Sequence, residues 1–229
     1  MNTDEWLLLV LFLAVVGLLT KPMGSHLVRV LDPAGRTPFD AVLKPIADKA
    51  VEFILQSQNP GLGWRYGVRP TYNDSSVTGW MVLALKSCKM AGLEFDTTKC
   101  YDDATKWYEM VTVDVNGYPK VGYDSPGSNN ARLRSASDYD NNPTMDGIHG
   151  AVRQVLATAE GQDEKLADFE KSITEQPPKW EHKKLDYYYW FWAAMFMQQR
   201  SGKARDAWWE SAAEVLTKHQ RGWHELDTK

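Results

Sequence analysis

A pattern that occurs twice constrains this chain more than any other feature. Ala50-Val51-Glu52-Phe53-Ile54-Leu55-Gln56-Ser57-Gln58, then Gly63-Trp64, can be laid over Ala212-Ala213-Glu214-Val215-Leu216-Thr217-Lys218-His219-Gln220, then Gly222-Trp223. Both copies read A-x-E-Φ-Φ-x-x-x-Q followed by G-W. The second begins 162 positions after the first, three lengths of 54. One length on, a weaker copy keeps Ala104, Trp107, Tyr108 and Val111 at i, i+3, i+4 and i+7, and a degenerate copy lies over Leu166–Ile173. That spacing puts each apolar set on one face of a helix. Self-similarity at such a period predicts stacked helical units in which each unit buries its face against the next.

Between the striped helices lies a second set of different character. Val77–Met90, Pro143–Ala159 and Asp186–Gln199 are more apolar all round, and a helix hydrophobic on every face is a buried one. The striped helices are therefore expected outside and the apolar ones inside, four of the first kind and three of the second. Clusters of Gly, Pro, Asn and Asp at 59–63, 116–119 and 124–130 supply turns. No useful length of strand-period alternation is visible, so the expected class is all-α.

Composition fits a packed body. Ten Trp, ten Tyr and seven Phe in 229 residues are an aromatic load that needs helices to pack against, which argues against disorder over most of the chain. The net charge of −4 and the lack of any Lys/Arg-rich block give no reason to expect a nucleic-acid partner. Cys88 and Cys100 match neither a disulfide framework nor a metal spacing; Cys88, in an apolar helical pattern, is expected as a reduced, buried thiol.

The front of the chain is different again. Trp6–Thr20 reads WLLLVLFLAVVGLLT, fifteen residues without a charge. As a helix it spans about 22 Å, short of the ~30 Å hydrocarbon core. A signal peptide competes with an uncleaved anchor, but Asp4 and Glu5 precede the run where a basic cluster is usual, and no A-x-A pattern follows it. Lys21, Arg29, Arg36 and Lys44 all lie on its C-terminal side, so an anchor would leave the remainder of the chain in the cytoplasm. The expected organisation is a transmembrane anchor at 1–24, an amphipathic linker at 25–46 and a repeat domain at 47–229.

Within Glu5–Ile46 the chain resembles the start of the potassium-binding subunit of the potassium-transporting P-type ATPase. The turn Lys21-Pro22-Met23-Gly24 is similar to the K/R-P-[LM]-G that ends a first membrane helix in that family, and Asp32-Pro33-Ala34-Gly35 to its D-x-x-G-type loop. The resemblance covers about forty residues. That family carries its selectivity filter in later membrane segments, and no second apolar run of comparable length follows here, so the resemblance implies no transport residue in this chain.

The Gln and G-W positions resemble the QW motif of squalene–hopene cyclases and the wider prenyltransferase-like repeat. This second resemblance covers about 180 residues, from Ala47 onward, and implies an α/α toroid, here a partial one. In that family the Gln caps a neighbouring helix beside the Trp, a structural role that the resemblance assigns to Gln58 with Trp64 and to Gln220 with Trp223. The family's acid lies in a D-x-D-D motif. Asp138-Tyr139-Asp140-Asn141 is similar, which would make Asp140 the proton donor and Asp138 its partner, but Asn141 stands where a carboxylate belongs. Read without the family, the same run is a helix start, with Asn142 as cap and Pro143 in the first turn.

Three further readings complete the set. Tyr188, Trp190 and Trp192, in the run Tyr187–Trp192, are candidates to line an apolar or cation-stabilising pocket, against the plainer reading of core filling. Asp146 and His149, at i and i+3, are candidates to share a metal, against the plainer reading of hydrogen-bonded helix residues. With seven helices too few to close a toroid, the apolar helix near 187–197 should be left uncovered on one flank, which predicts self-association or an apolar ligand. The resulting expectation is a membrane-anchored repeat protein without cofactor or catalysis. Its alternatives are an isoprenoid or terpene cyclase-type enzyme and a fragment related to the potassium-binding subunit.

Overall fold

The computed structural model describes residues 40–128, 143–156, 164–181 and 185–220, and these are mostly helical. In chain order they form α1 (Asp40–Ser57), α2 (Ser75–Met90), α3 (Thr98–Val111), β1 (Thr112–Val115), β2 (Tyr118–Val121), α4 (Thr144–Leu156), α5 (Glu164–Thr174), α6 (Tyr187–Met197) and α7 (Lys203–His219). The class is thus helical as expected, and the α1 helix runs uninterrupted across position 46/47.

Two compact units divide the chain. Of the described residues, one holds Asp40–Phe53 together with Ser87–Phe95, the other Ile54–Lys86 and those from Asp96 to Gln220. In the first, α2 ends in a Schellman turn. Gly92 takes a positive φ of 81°, the Leu93 amide donates to the Cys88 carbonyl at 3.0 Å and the Gly92 amide to Lys89 at 3.0 Å, so two helix-end carbonyls are satisfied. Cys88 is half-buried there and Cys100 of the second unit is the buried thiol, the reverse emphasis to the sequence reading.

In the second unit the stripe of α3 is buried as its spacing predicts, with Ala104, Trp107, Tyr108 and Val111 all inside. The residues of α4 from Thr144 to Val152 are buried without exception. Close approach there depends on glycine. A Cβ at Gly79 would meet Ile148 Cγ2 at 2.6 Å, and one at Gly150 would meet the Phe196 ring at 2.7 Å. Those two bare positions let α2 and α6 close on α4. Asp186 caps α6, its Oδ1 accepting from the amides of Tyr188 and Tyr189, each at 3.0 Å. Phe169 and Ile173 of α5 and Trp208 of α7 are buried as well.

A short hairpin, β1–β2, accompanies the helices where the sequence shows no useful length of strand-period alternation. Thr112 pairs with Val121 and Val115 with Tyr118, antiparallel, around the two-residue turn Asn116-Gly117. Both turn residues have positive φ, 57° and 81°, the geometry that matches strand twist and that Asn-Gly adopts readily. The Gly117 amide donates to Asp114 Oδ1 at 3.1 Å.

No helix among the described residues is long and apolar enough to cross a membrane. The run Trp6–Thr20, on which the anchor expectation falls, lies outside the described residues.

Candidate functional site

Polar side chains of the second unit gather where α2 begins. Asp74 caps that helix: its Oδ1 accepts from the Val77 amide at 2.6 Å, and the residue is 0% exposed. Its Oδ2 has no hydrogen-bond partner; Arg65 Nε stands 3.7 Å from it, and the Tyr123 hydroxyl approaches the same carboxylate. Burial raises the Asp74 pKa above the usual value, against the Val77 amide and the Arg65 charge, which pull it down. Arg65 is in turn held between the rings of Tyr72 and Tyr123, 4.8 and 5.7 Å from their centroids.

Ser75 ties this helix end to its surroundings. Its amide donates to the Tyr123 carbonyl at 2.8 Å and its Oγ to the Gly122 carbonyl at 2.6 Å. The Tyr108 hydroxyl donates to the Ser75 carbonyl at 2.7 Å. The preceding loop carries strain. Thr71, a β-branched residue, has φ 67°, a conformation that persists only when neighbours hold it; Asn59 does so, its Oδ1 accepting from the Thr71 amide at 3.2 Å.

Asp146 and His149 sit one turn apart on α4 and engage different neighbours. Asp146 Oδ1 accepts from the Val121 amide at 3.0 Å and Oδ2 from the Ser172 hydroxyl at 2.8 Å, so this carboxylate fastens the hairpin and α5 to α4. Burial pushes its pKa up to about 6, with those two hydrogen bonds opposing the rise. His149 stacks on Tyr108, with centroids 4.4 Å apart and rings 11° from parallel. Its Nδ1 lies 3.4 Å from Thr112 Oγ1, and Thr112 Oγ1 itself donates to the Tyr108 carbonyl at 2.6 Å; the hydroxyl therefore accepts from His149 Nδ1–H. Burial holds the His149 pKa well below its usual value. No cluster of three metal-ligating side chains exists among the described residues, and the shared-metal reading of this pair has no geometry behind it.

The aromatic candidates divide. Trp190 and Trp192 are turned into the core, 7% and 0% exposed, and Tyr188 is half-buried with its hydroxyl 2.5 Å from Ser76 Oγ. The rings that face solvent are their neighbours. Trp80 of α2 and Phe191 of α6 are each 41% exposed and stack on one another, centroids 5.3 Å apart at 22°. Trp192 meets Trp80 edge-on at 4.9 Å from beneath. Trp80 and Phe191 thus form a shelf across α2 and α6, with Tyr187 exposed on α6 beside them. Sequence reasoning missed both shelf rings because an all-apolar run does not reveal which of its faces stays uncovered.

Of the paired motif residues, Gln58 is buried, and its Nε2 donates to the Cys100 carbonyl at 2.9 Å and the Leu62 carbonyl at 2.8 Å. Trp64 is 1% exposed, its Nε1 donating to the Ile54 carbonyl at 2.8 Å. Gln220, by contrast, is exposed at the C-terminal end of α7. Trp223, Asp138 and Asp140 lie outside the described residues.

Comparison with known proteins gives one partial counterpart. Over 64 residues the chain is 48% identical to the potassium-transporting ATPase potassium-binding subunit of Methylacidiphilum infernorum (isolate V4), a stretch that is 28% of this chain and 11% of that subunit. This chain therefore spans about a tenth of the relative it matches. No family model matches the chain, and no solved structure matches it. The resemblance to the potassium-binding subunit is supported in that part, whereas the toroid and the cyclase-type repeat find no counterpart.

Proposed function

We propose that this chain is a membrane-anchored, non-catalytic helical repeat protein that works by binding, using the Trp80–Phe191 shelf to engage apolar surface on a ligand or on a second copy. One observation carries the reading: around the start of α2 the buried carboxylate is committed to structure while the groups facing solvent are aromatic. Asp74 caps a helix against Arg65. Its Oδ2 is sealed from solvent, so it has no reach to a substrate proton, and reach is the first requirement of a general acid. Trp80 and Phe191 offer stacked rings and no titratable group.

The anchor rests on the uncharged run Trp6–Thr20 and gains support from the similarity to part of a potassium-transporting subunit. The basic residues after the run place the body on the cytoplasmic side. A second reading, a fragment related to that subunit, is favoured by the same similarity. It brings no potassium chemistry with it, because the shared stretch is so small a share of the relative.

The reading is tested by incubating the full-length chain, purified in detergent, with squalene and searching for cyclic products by mass spectrometry. No product is expected. Cyclic product that disappears in Asp140→Asn would establish the isoprenoid or terpene cyclase-type alternative instead.

A further inference from the structure

An amphipathic helix normally turns its apolar stripe inward; α1 turns its stripe outward. Leu43, Ile46, Ala50 and Phe53 recur at three- and four-residue spacing, which places them on one side of the helix. Leu43 is 58% exposed, Ile46 62% and Phe53 58%, and Ala50 is exposed as well. Val51, off to one side of this stripe, is buried at 4%, so the helix is docked by a different face. Lys44, Asp48 and Glu52 lie away from the stripe, Lys49 flanks it, and these four answer one another locally. Lys44 pairs with Asp48 at 3.3 Å and Lys49 with Glu52 at 2.7 Å.

Chain length and charge choose among the surfaces that could cover this stripe. Residues 21–39 separate the end of the uncharged run from the first residue of α1. At no more than ~3.6 Å per residue that leash keeps α1 within roughly 70 Å of the run, and much closer on average. The leash carries Lys21, Arg29 and Arg36 against the single acid Asp32, a balance drawn to an anionic headgroup layer. The helix cannot itself be a span, since it carries five charged residues and Pro45. The proline removes one amide from the helix ladder and frees a carbonyl that needs water. A helix that is apolar on one side, charged on the other and tethered beside a bilayer suits the lipid–water interface.

We propose that α1 lies along that interface, with Leu43, Ile46 and Ala50 seated at the boundary between headgroups and acyl chains. The inference rests on the anchor reading, and the experiment separates the two. Single cysteines are introduced into the full-length chain as Ile46→Cys, Glu52→Cys and Leu13→Cys in a Cys88→Ser, Cys100→Ser background, labelled with bimane, and reconstituted into vesicles of phosphatidylcholine and phosphatidylserine with or without lipid brominated near the headgroup. The label at 46 is expected to emit at shorter wavelength and to lose roughly half its emission to brominated lipid, while the label at 52, on the charged side, loses little. Quenching at 13 reports the anchor. If 13 is quenched and 46 is not, the anchor stands and the interfacial helix is overturned. If neither is quenched, both readings fall. If emission at 46 ignores brominated lipid but shifts with protein concentration, the stripe seats a second copy, which also overturns the proposal.

Discussion

Asp146 and His149 occupy neighbouring turns of one buried helix, and burial moves their titrations in opposite senses for stability. Asp146 keeps its proton in the folded chain up to about pH 6, whereas an unfolded aspartate releases it near 3.8. Between those values the folded state binds more protons, so this group's stabilisation is present at low pH and is lost as pH rises through 6, by about 3 kcal/mol in total. His149 is held neutral, so below about 6.5 the unfolded state binds the extra proton and stability is lost as pH falls. Each slope is at most about 1.4 kcal/mol per pH unit, and between pH 6 and 5 they oppose one another. The thermal midpoint of the full-length chain in detergent should therefore change less over that unit than in a variant that lacks either group. In Asp146→Asn it should fall by about 3–6 °C on the same acidification, and in His149→Gln it should rise by as much. Because the reading is a slope, a uniform loss of stability in either variant leaves it intact, and parallel slopes in all three proteins would refute the account. Gln58 offers a second test at this scale. Gln58→Leu removes the hydrogen bonds that its Nε2 donates to the Cys100 and Leu62 carbonyls, at a cost of about 1–3 kcal/mol, while Gln220→Leu, at an exposed position, should stay within about 0.5 kcal/mol of the parent. Equal effects, read from the same thermal midpoints, would mean that the bonds of Gln58 to Cys100 and Leu62 contribute nothing.

Among the elements, the helices were legible and the hairpin was not, for a physical reason in each case. The α3 stripe of Ala104, Trp107, Tyr108 and Val111 declares itself because one face of a helix must be apolar if it alone is buried. The all-apolar runs of α4 and α6 declare burial in the same way but hide direction, so nothing in the run Tyr187–Trp192 tells Phe191, which is open, from Trp190 and Trp192, which are buried. Thr112–Val121 carries no strand alternation of useful length; its hairpin is written in the turn, Asn116-Gly117, where both residues accept positive φ, and in the Asp146 side chain that receives the Val121 amide from a distant helix. Asp74 as the cap of α2 was also passed over, since an Asp in a polar loop looks unremarkable until its depth is known. Glycine at helix contacts is a further signal that sequence periodicity ignores. Gly79→Ala forces a methyl against Ile148 Cγ2, and overpacking of this kind costs about 1–3 kcal/mol. Gly61→Ala is the control for crowding, since a Cβ there meets nothing within 4 Å and only its positive φ of 78° is strained. A larger drop in thermal midpoint for Gly79→Ala than for Gly61→Ala is expected; the reverse order would remove helix approach as the reason for Gly79.

For the molecule as a whole, the question is how strongly the shelf can hold anything. The sequence, with too few helices for a closed ring, pointed to a broad uncovered flank along residues 187–197. Most of that helix is covered: Tyr189, Trp190, Trp192, Ala193, Phe196 and Met197 are buried. What remains open is part of Trp80, Phe191 and Tyr187, roughly 300 Å² if each ring contributes about half of a buried aromatic's area. Two such shelves face to face remove about 600 Å², around half of what the smaller specific interfaces bury. At ~25 cal/mol per Å² that is on the order of 15 kcal/mol, of the same size as the 4–15 kcal/mol lost to association entropy. A tight dimer is therefore not expected from the shelf, but a weak one is. Sedimentation of the full-length chain in density-matched detergent, across a hundredfold concentration range, should show one species at the dilute end and reversible growth only at the concentrated end. The double variant Trp80→Ser with Phe191→Ser should abolish that growth while its helical circular dichroism is unchanged. A dimer that persists at nanomolar concentration, or association untouched by the double variant, would locate the contact on a different surface.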